Sequence, residues 1–537
     1  MPITPQQRQG GFWREGEPFV WVSGAALAAV LLMAALLVIV VMANGVAVFW
    51  PARQTVFELR QGPAVMGVVQ RESRDPKTGA RRVQVKIANR DLYGLDFRWL
   101  DEPDIRATRQ PIDAVVLERR EYGNVHGFLR TLDLGTGARP ATWAEFQAAL
   151  RQARLDRLPM DRVQRQLSTL GGQMEKVRLS LAKLRYHGRR DDDPAVVTLH
   201  ARQSELKVKF AQQVAAFDRL ASEIRRRTVG VAEAGGRVIT TPLTEVIRAN
   251  QPNRMGLPAK VWFYAGKLGE LLFGEPRESN TEGGLFPAIV GTVMMVFIMS
   301  IFSFPLGVVT GIYLREYARD GWLVRLVRIA VNNLAGVPSI VYGIFGLGFF
   351  VYGVGGALDQ LFFPERLPTP TLGTGGILWA SLTLALLTVP VVIVATEEAL
   401  GAIPKGVRDG SLALGATKLQ TLLRVLLPMA SPGIMTGFIL AMARAAGEVA
   451  PLMITGVVKL APALPLDGQY PFIHLERKFM HLGFHIYDIG FQSPNVEAAK
   501  PMVFVTTLLL VLIVLVMSAA AIHLRNTMKR RYTLGSF

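Results

Sequence analysis

Six apolar stretches, each long enough to cross a bilayer, constrain this chain more than any other feature. A helix needs about 20 consecutive apolar residues to span the hydrocarbon core. The stretches lie at about 21–48, 287–312, 329–352, 376–396, 430–457 and 501–523. Trp21 and Trp50 flank the first like an interfacial belt. It is too long for a signal-peptide core and lacks a convincing small-x-small cleavage site, so it reads as a retained anchor. Pro305, Pro338 and Pro390 interrupt other stretches, which is tolerable where neighbouring helices take up the freed backbone groups. The expectation is an all-α polytopic membrane protein with six transmembrane helices.

Composition bounds the alternatives. Half of the 537 residues are hydrophobic and 19% are charged, against about 25% in soluble domains. The absence of cysteine excludes a disulfide scaffold, thiol catalysis and thiolate metal sites. The formal charge of +18 leaves nucleic-acid binding open until the charges are located.

Lys and Arg in short loops favour the cytoplasmic side. With the N-terminus inside, fourteen fall on cytoplasmic segments: Arg8 and Arg14; Arg315, Arg319, Arg325 and Arg328; Lys405, Arg408, Lys418 and Arg424; Arg525, Lys529, Arg530 and Arg531. Five fall on short outer loops, namely Arg366, Lys459, Arg477, Lys478 and Lys500. Both termini, 1–20 and 525–537, are therefore expected in the cytoplasm, and 50–285 outside. From position 51 onward this insertion holds 40 Lys/Arg against 28 Asp/Glu, a net +12 of the total. Loops beyond about 60 residues translocate largely regardless of charge, and an outer location argues against nucleic acid as a partner.

The insertion reads as two parts. Over 56–134, alternating runs such as Arg82-Val83-Gln84-Val85-Lys86-Ile87, with turns at Lys77-Thr78-Gly79 and Gly135-Thr136-Gly137, predict a small β-rich unit. Over 142–227 the period changes to heptads. Met160, Val163, Leu167, Leu170, Met174, Val177, Leu181 and Leu184 form one seam, and Leu199, Leu206, Phe210, Phe217, Leu220 and Ile224 lie on a second. A polar turn between them predicts an antiparallel coiled-coil hairpin about 40 Å long. Its basic exterior is read either as a solvated face or as a partner-protein surface.

After the 21–49 span and the insertion, 286–524 carry five spans and a cytoplasmic loop at 398–429. The loop predicts a helix, a glycine break, a second helix and a proline at the membrane entry, a rigid lever that could dock in another protein. On physics alone it could equally be a plain amphipathic connector. Aligned on Gly415, Asp409-Gly410-Ser411 precede by three residues, and Val425-x-Leu427-Pro428 follow by nine. That spacing resembles the coupling loop of permease subunits in binding-protein-dependent ABC importers, whose signature opens Glu-Ala-Ala where this chain has Asp-Gly-Ser. The runs Gly311–Ala318, Val337-Pro338-Ser339-Ile340-Val341-Tyr342-Gly343 and Ala443-Arg444-Ala445-Ala446-Gly447-Glu448 narrow the resemblance to the PstA family of phosphate permeases. It covers the first span and about 284–525; the insertion is not part of the family's usual short form.

The resemblance implies a type I ABC importer permease fold in the inner membrane, with Asp409, Gly415, Leu427 and Pro428 in the ATPase-coupling loop. It also implies a second PstC-like permease, two PstB-like ATPase subunits and a PstS-like phosphate-binding protein as partners. A sulfate, molybdate or phosphonate importer stays open, as does a membrane-anchored scaffold or sensor acting through the outer domain. No Gly-x-x-x-x-Gly-Lys-Ser/Thr run occurs, so ATP and Mg2+ are expected on a partner and no cofactor or metal on this chain.

Arg444 interrupts the fifth apolar stretch, where a cation costs about 3 kcal/mol, and Glu448 follows at helical i,i+4 spacing. The pair could simply lock helix packing. With the phosphate-permease resemblance, Arg444 is expected to present its guanidinium fork to the substrate, with Glu448 holding or releasing it. Ser339 and Tyr342, with Asn332 and Asn333, are expected either to line the path or to pack between helices. His474, His481 and His485 share spacings that predict one face of an amphipathic interfacial helix.

Overall fold

The computed structural model describes residues 17–74, 79–319, 321–468, 470, 472–493 and 495–533. Arg8, Arg14, Lys77 and Thr78 lie outside that set. Among the described residues, six helices have the length and apolarity to cross a membrane. The first, α1 (Glu17–Ala47), leaves most of its surface exposed. The other five form a bundle around Met295, Met299, Leu384, Ala445 and Leu452.

The insertion holds antiparallel strands in two large sheets, besides a two-stranded ribbon of Pro276–Arg277 with Glu282–Gly283. One has β1 (Thr55–Leu59), β2 (Val65–Arg74), β3 (Arg81–Lys86), β4 (Phe97–Asp101) and β5 (Ile105–Arg109), in the order β4-β3-β2-β1-β5. The other contains β6 (Ala114–Arg119), β7 (Asn124–Asp133) and β8 (Ala138–Pro140), and after the helical hairpin β9 (Thr228–Ala232), β10 (Val238–Pro242) and β11 (Val246–Asn250). Its order is β10-β9-β7-β6-β11, with β8 on β7. The β-rich unit therefore does not end at 134. The chain leaves the sheet for the hairpin and returns to complete it, because Val229 and Val231 bury beside Val115, Leu117 and Val125.

The hairpin is α2 (Trp143–Tyr186) and α3 (Pro194–Arg225). Thr142 caps α2 through a box in which its hydroxyl accepts from Glu145 N at 3.3 Å and its own N–H donates to the Glu145 carboxylate at 2.9 Å, a device worth about 1 kcal/mol. Phe146 and Leu150 root α2 in the second sheet. Farther along, α2 rests on the Pro364–Arg366 turn of the membrane domain, so the hairpin lies across that end of the bundle.

α4 (Leu257–Phe273) leads into the membrane helices α5 (Phe286–Tyr317), α7 (Ser339–Phe362), α8 (Ile377–Gly401) and α10 (Lys418–Gly447). Between them lie α6 (Trp322–Leu334) and α9 (Lys405–Ala413). α11 (Ala450–Thr455), α12 (Leu482–Tyr487) and α13 (Val496–Thr533) complete the chain. Two expected spans shift. The third runs 339–362 instead of 329–352, because Pro338 separates α6 from α7. The fifth runs 418–447 instead of 430–457, because the helix stops at Gly447, with Pro451 in the first turn of α11.

The three histidines do not share a helical face. His474 sits in a loop, hydrogen-bonded to Asp467 at 3.0 Å; His481 caps α12; His485 lies within it. All three are buried. The reason is that the chain from 456 folds back on the start of α8, where Ile377 N donates to Arg477 O and Leu378 N to Leu475 O, both at 3.0 Å.

Candidate functional site

Close contacts of glycines fix the depth of each element. A methyl group placed on Gly433 of α10 would come within 2.7 Å of Ala399 Cβ on α8, and Gly437 abuts Ala395. Continued antiparallel, this register sets Arg444 opposite Thr388, halfway along α8. Across the bundle, Gly346 of α7 abuts Thr383, which sets Tyr342 and Ser339 at about the same level. Gly343 meets Pro451 Cα at 2.7 Å by the same measure, joining α7 to α11.

Two helix breaks therefore meet at mid-depth. α6 ends at Leu334 and α7 begins after Pro338; α10 ends at Gly447 and α11 begins at Ala450. Non-helical backbone at membrane depth is tolerated only where protein or a water-filled cavity covers it. In transporters, discontinuous helices of this kind build substrate sites.

Arg444 lies in the last turn of α10, where the unpaired carbonyls favour a cation. Glu448, in extended conformation just past the end, approaches its Nε at 3.6 Å. The pair is loose, and the Arg444 side chain stays 37% exposed. The Tyr342 hydroxyl donates to Leu334 O at 2.7 Å and so closes the carbonyl end of α6. Ser339 is the first residue of α7, half-buried, and the N-terminus of that helix carries partial positive charge into the same break. Asn332 and Asn333 are exposed in the last turn of α6. Arg444, Glu448, Tyr342 and Ser339 are thus gathered at one level. The capping role of Tyr342 and the double break had no signal in the sequence beyond Pro338 and Pro451.

The loop at 398–429 forms a second feature, apart from the first. α9 ends in a Schellman motif: Ala416 N donates to Ser411 O at 3.2 Å and Gly415 N to Leu412 O at 3.0 Å, with Gly415 at φ +85°. Thr417 then caps the next helix through a box with Gln420. Asp409 is exposed on α9, and Leu427 and Pro428 sit half-buried where α10 enters the bundle. Arg408 pairs with Glu316 at 2.8 Å and donates to Leu400 O at 2.7 Å, pinning α9 to α5 and α8. Leu412, Leu414, Leu419 and Leu423 remain exposed, Leu414 by 91%.

Residues 303–530 match the profile of the family described as binding-protein-dependent transport system inner membrane component. The chain is 33% identical over 221 residues to a probable phosphate transport system permease protein PstA of Methanocaldococcus jannaschii, covering 40% of this chain and 67% of that protein. It is 34% identical over 222 residues to the PstA of Yersinia pestis, covering 41% and 66%. It is 31% identical over 223 residues to a probable ABC transporter permease protein YqgI of Bacillus subtilis, covering 40% and 70%. The chain thus spans about two thirds of these relatives' own length. Among solved structures, an inward-facing MetNI methionine ABC transporter is similar at 21% identity and a TM-score of 0.34, over 45% of this chain and 95% of that one. The protein is a multi-pass membrane protein that belongs to the inner-membrane permease family of binding-protein-dependent transport systems.

Proposed function

We propose that the chain is the permease subunit of an ATP-driven, binding-protein-dependent importer of inorganic phosphate. The observation that carries this reading is the placement of the Arg444 fork and the N-terminus of α7 at one level, halfway along the bundle, each at a break in the helices. Both favour an oxyanion, the first through paired charge-assisted hydrogen bonds and the second through free backbone N–H groups. The relatives named as phosphate permeases support that substrate.

In this reading both termini are cytoplasmic and the insertion faces outward. A PstS-like binding protein delivers phosphate to the outer face, and a PstC-like permease completes the bundle. A pair of PstB-like ATPase subunits holds ATP and Mg2+, and one of them receives the exposed leucines of the coupling loop. Because Arg408–Glu316 pins α9 to α5, a push on α9 moves the helices as bodies. This chain contributes the conduit and no ATPase site of its own. The insertion, lying across the bundle, offers a contact for the binding protein or for the partner permease.

Arg444→Ala tests the site. In the reconstituted complex, uptake of radiolabelled phosphate should fall by about two orders of magnitude, the loss expected for a bidentate charged contact, while the subunits still co-purify. Undiminished uptake would overturn the role of Arg444. Competition by sulfate, molybdate or a phosphonate in place of phosphate would move the substrate but leave the permease.

A further inference from the structure

α4 is amphipathic the wrong way round for a helix of a soluble domain. Leu257, Val261, Trp262, Leu268, Leu272 and Phe273 are exposed, Trp262 by 83%. Lys267 and Glu270, on the opposite face, point inward and pair at 3.2 Å. Such a helix has its apolar side in an apolar medium. Its neighbour Trp50, at 6.2 Å from the Tyr264 ring, sits where α1 ends, at the membrane–water boundary favoured by tryptophan.

Behind α4 lies a cavity of about 750 Å³, within the range of ligand pockets. Its floor is the ends of two membrane helices, with Asn44 and Ala47 from α1 and Met502 and Phe504 from α13. Its ceiling is the β-unit and carries both signs of charge. Many are paired, as Lys267 with Glu118 at 2.6 Å and Arg90 with Asp96 at 2.5 Å. Lys86 and Glu282 differ. Both line the cavity, and among the described residues neither makes a salt bridge, although burial pushes the Glu282 carboxyl up against the charges of Lys86, Lys267 and Arg277. Four further lining groups, Gln54 Oε1, Asn124 Oδ1, His126 Nδ1 and Asn250 Oδ1, are buried with no hydrogen-bond partner among the described residues. His126 is 4% exposed. Buried polar atoms left unpaired are costly, and their clustering around one space points to a polar occupant.

We propose that this cavity seats the headgroup of a zwitterionic phospholipid, of the phosphatidylethanolamine type, from the leaflet in which α4 lies. The headgroup carries one phosphate and one ammonium, matching the unpaired Lys86 and Glu282. The glycerol and acyl chains continue along the apolar ends of α1 and α13, which a free phosphate ion would leave uncovered. The lipid joins the insertion to the membrane domain, beside the direct contacts Gln84–Glu497 and Asn495–Asp96, both 2.6 Å.

The test is native mass spectrometry and lipid analysis of the full chain after extended detergent washing. The wild type should keep about one phosphatidylethanolamine per chain. Lys86→Glu should cut retention by about tenfold, the loss of one charge-assisted contact. Glu282→Gln should exchange the retained lipid for an anionic class such as phosphatidylglycerol, a change that general destabilisation would not produce. It carries the test alone if Lys86→Glu fails to fold. Equal retention of the same lipid in all three proteins overturns the site. So does Lys86-dependent binding of inorganic phosphate to lipid-free protein, or a co-purifying polypeptide that shields Trp262 in place of lipid.

Discussion

The hydroxyl of Tyr342 stands 2.7 Å from Leu334 O and ties the end of α6 to the start of α7. Replacing it with phenylalanine removes one of two donors to that carbonyl, leaving Val337 N at 3.2 Å, at a cost of about 1 kcal/mol. Tyr342→Phe should therefore lower the thermal midpoint of the purified chain and reduce phosphate uptake without abolishing it, since the Arg444 fork remains. An unchanged midpoint would show that Val337 N alone satisfies the carbonyl. At this scale the sequence was informative about charge and silent about geometry. A lone Arg–Glu pair in an apolar run is visible because it is costly there. That Arg444 ends a helix at mid-depth depends on where α10 meets α8, through contacts at Gly433 and Gly437 that no local pattern encodes. From sequence, Ser339 and Tyr342 fit either path or packing; the structure gives Tyr342 a capping role and leaves Ser339 at a helix start.

Between α9 and the following helix, Gly415 holds φ +85°, a left-handed conformation that costs other residues about 1–2 kcal/mol. A methyl group there would meet no neighbour, so the constraint is backbone strain alone. Gly415→Val should loosen the loop and uncouple ATP hydrolysis from uptake in the reconstituted complex, and Gly415→Asn, which tolerates this region, should retain most coupling. Equal behaviour of the two would remove the strain explanation. This loop was readable because its order is local: helix, Schellman glycine, capping box, helix. The third span was misread for the complementary reason. Hydropathy averages across Pro338, whereas at the break Leu334 O is met by Val337 N before the proline and by the Tyr342 hydroxyl beyond it. Strands β9–β11 have no local signal because the heptads before them suggest a change of domain, while the pairing of β9 with β7 and of β11 with β6 spans about a hundred residues or more.

Across the whole molecule, three histidines in two separate regions share one condition: each is buried and held neutral. His126 lies in the insertion; His481 and His485 lie in the segment between α11 and α13. Burial pushes His126 and His481 down to about 3 and His485 to about 4 from an ordinary 6.5. Hydrogen bonding agrees for His481, whose Nδ1 accepts from Gly483 N at 3.1 Å; for His485 burial outweighs the bond to Asn280 O, which favours the charged ring. Below pH 6.5 the unfolded chain binds protons at these sites and the folded chain does not, so stability falls as pH falls, from about 6.5 down to the folded values. Each group contributes about 1.4 kcal/mol per pH unit across that window, and nothing above it. The thermal midpoint in detergent should thus be flat from pH 8 to 7 and drop steeply between about pH 6 and 4. Replacing His126 with phenylalanine removes one of the three proton sites, and replacing His481 and His485 with glutamine removes the other two. The slope should decline in each variant, with separate transitions if the insertion and the bundle unfold apart. A slope unchanged by all three substitutions would assign the acid sensitivity to carboxylates, such as Glu270 beside Lys267 and Arg277, instead.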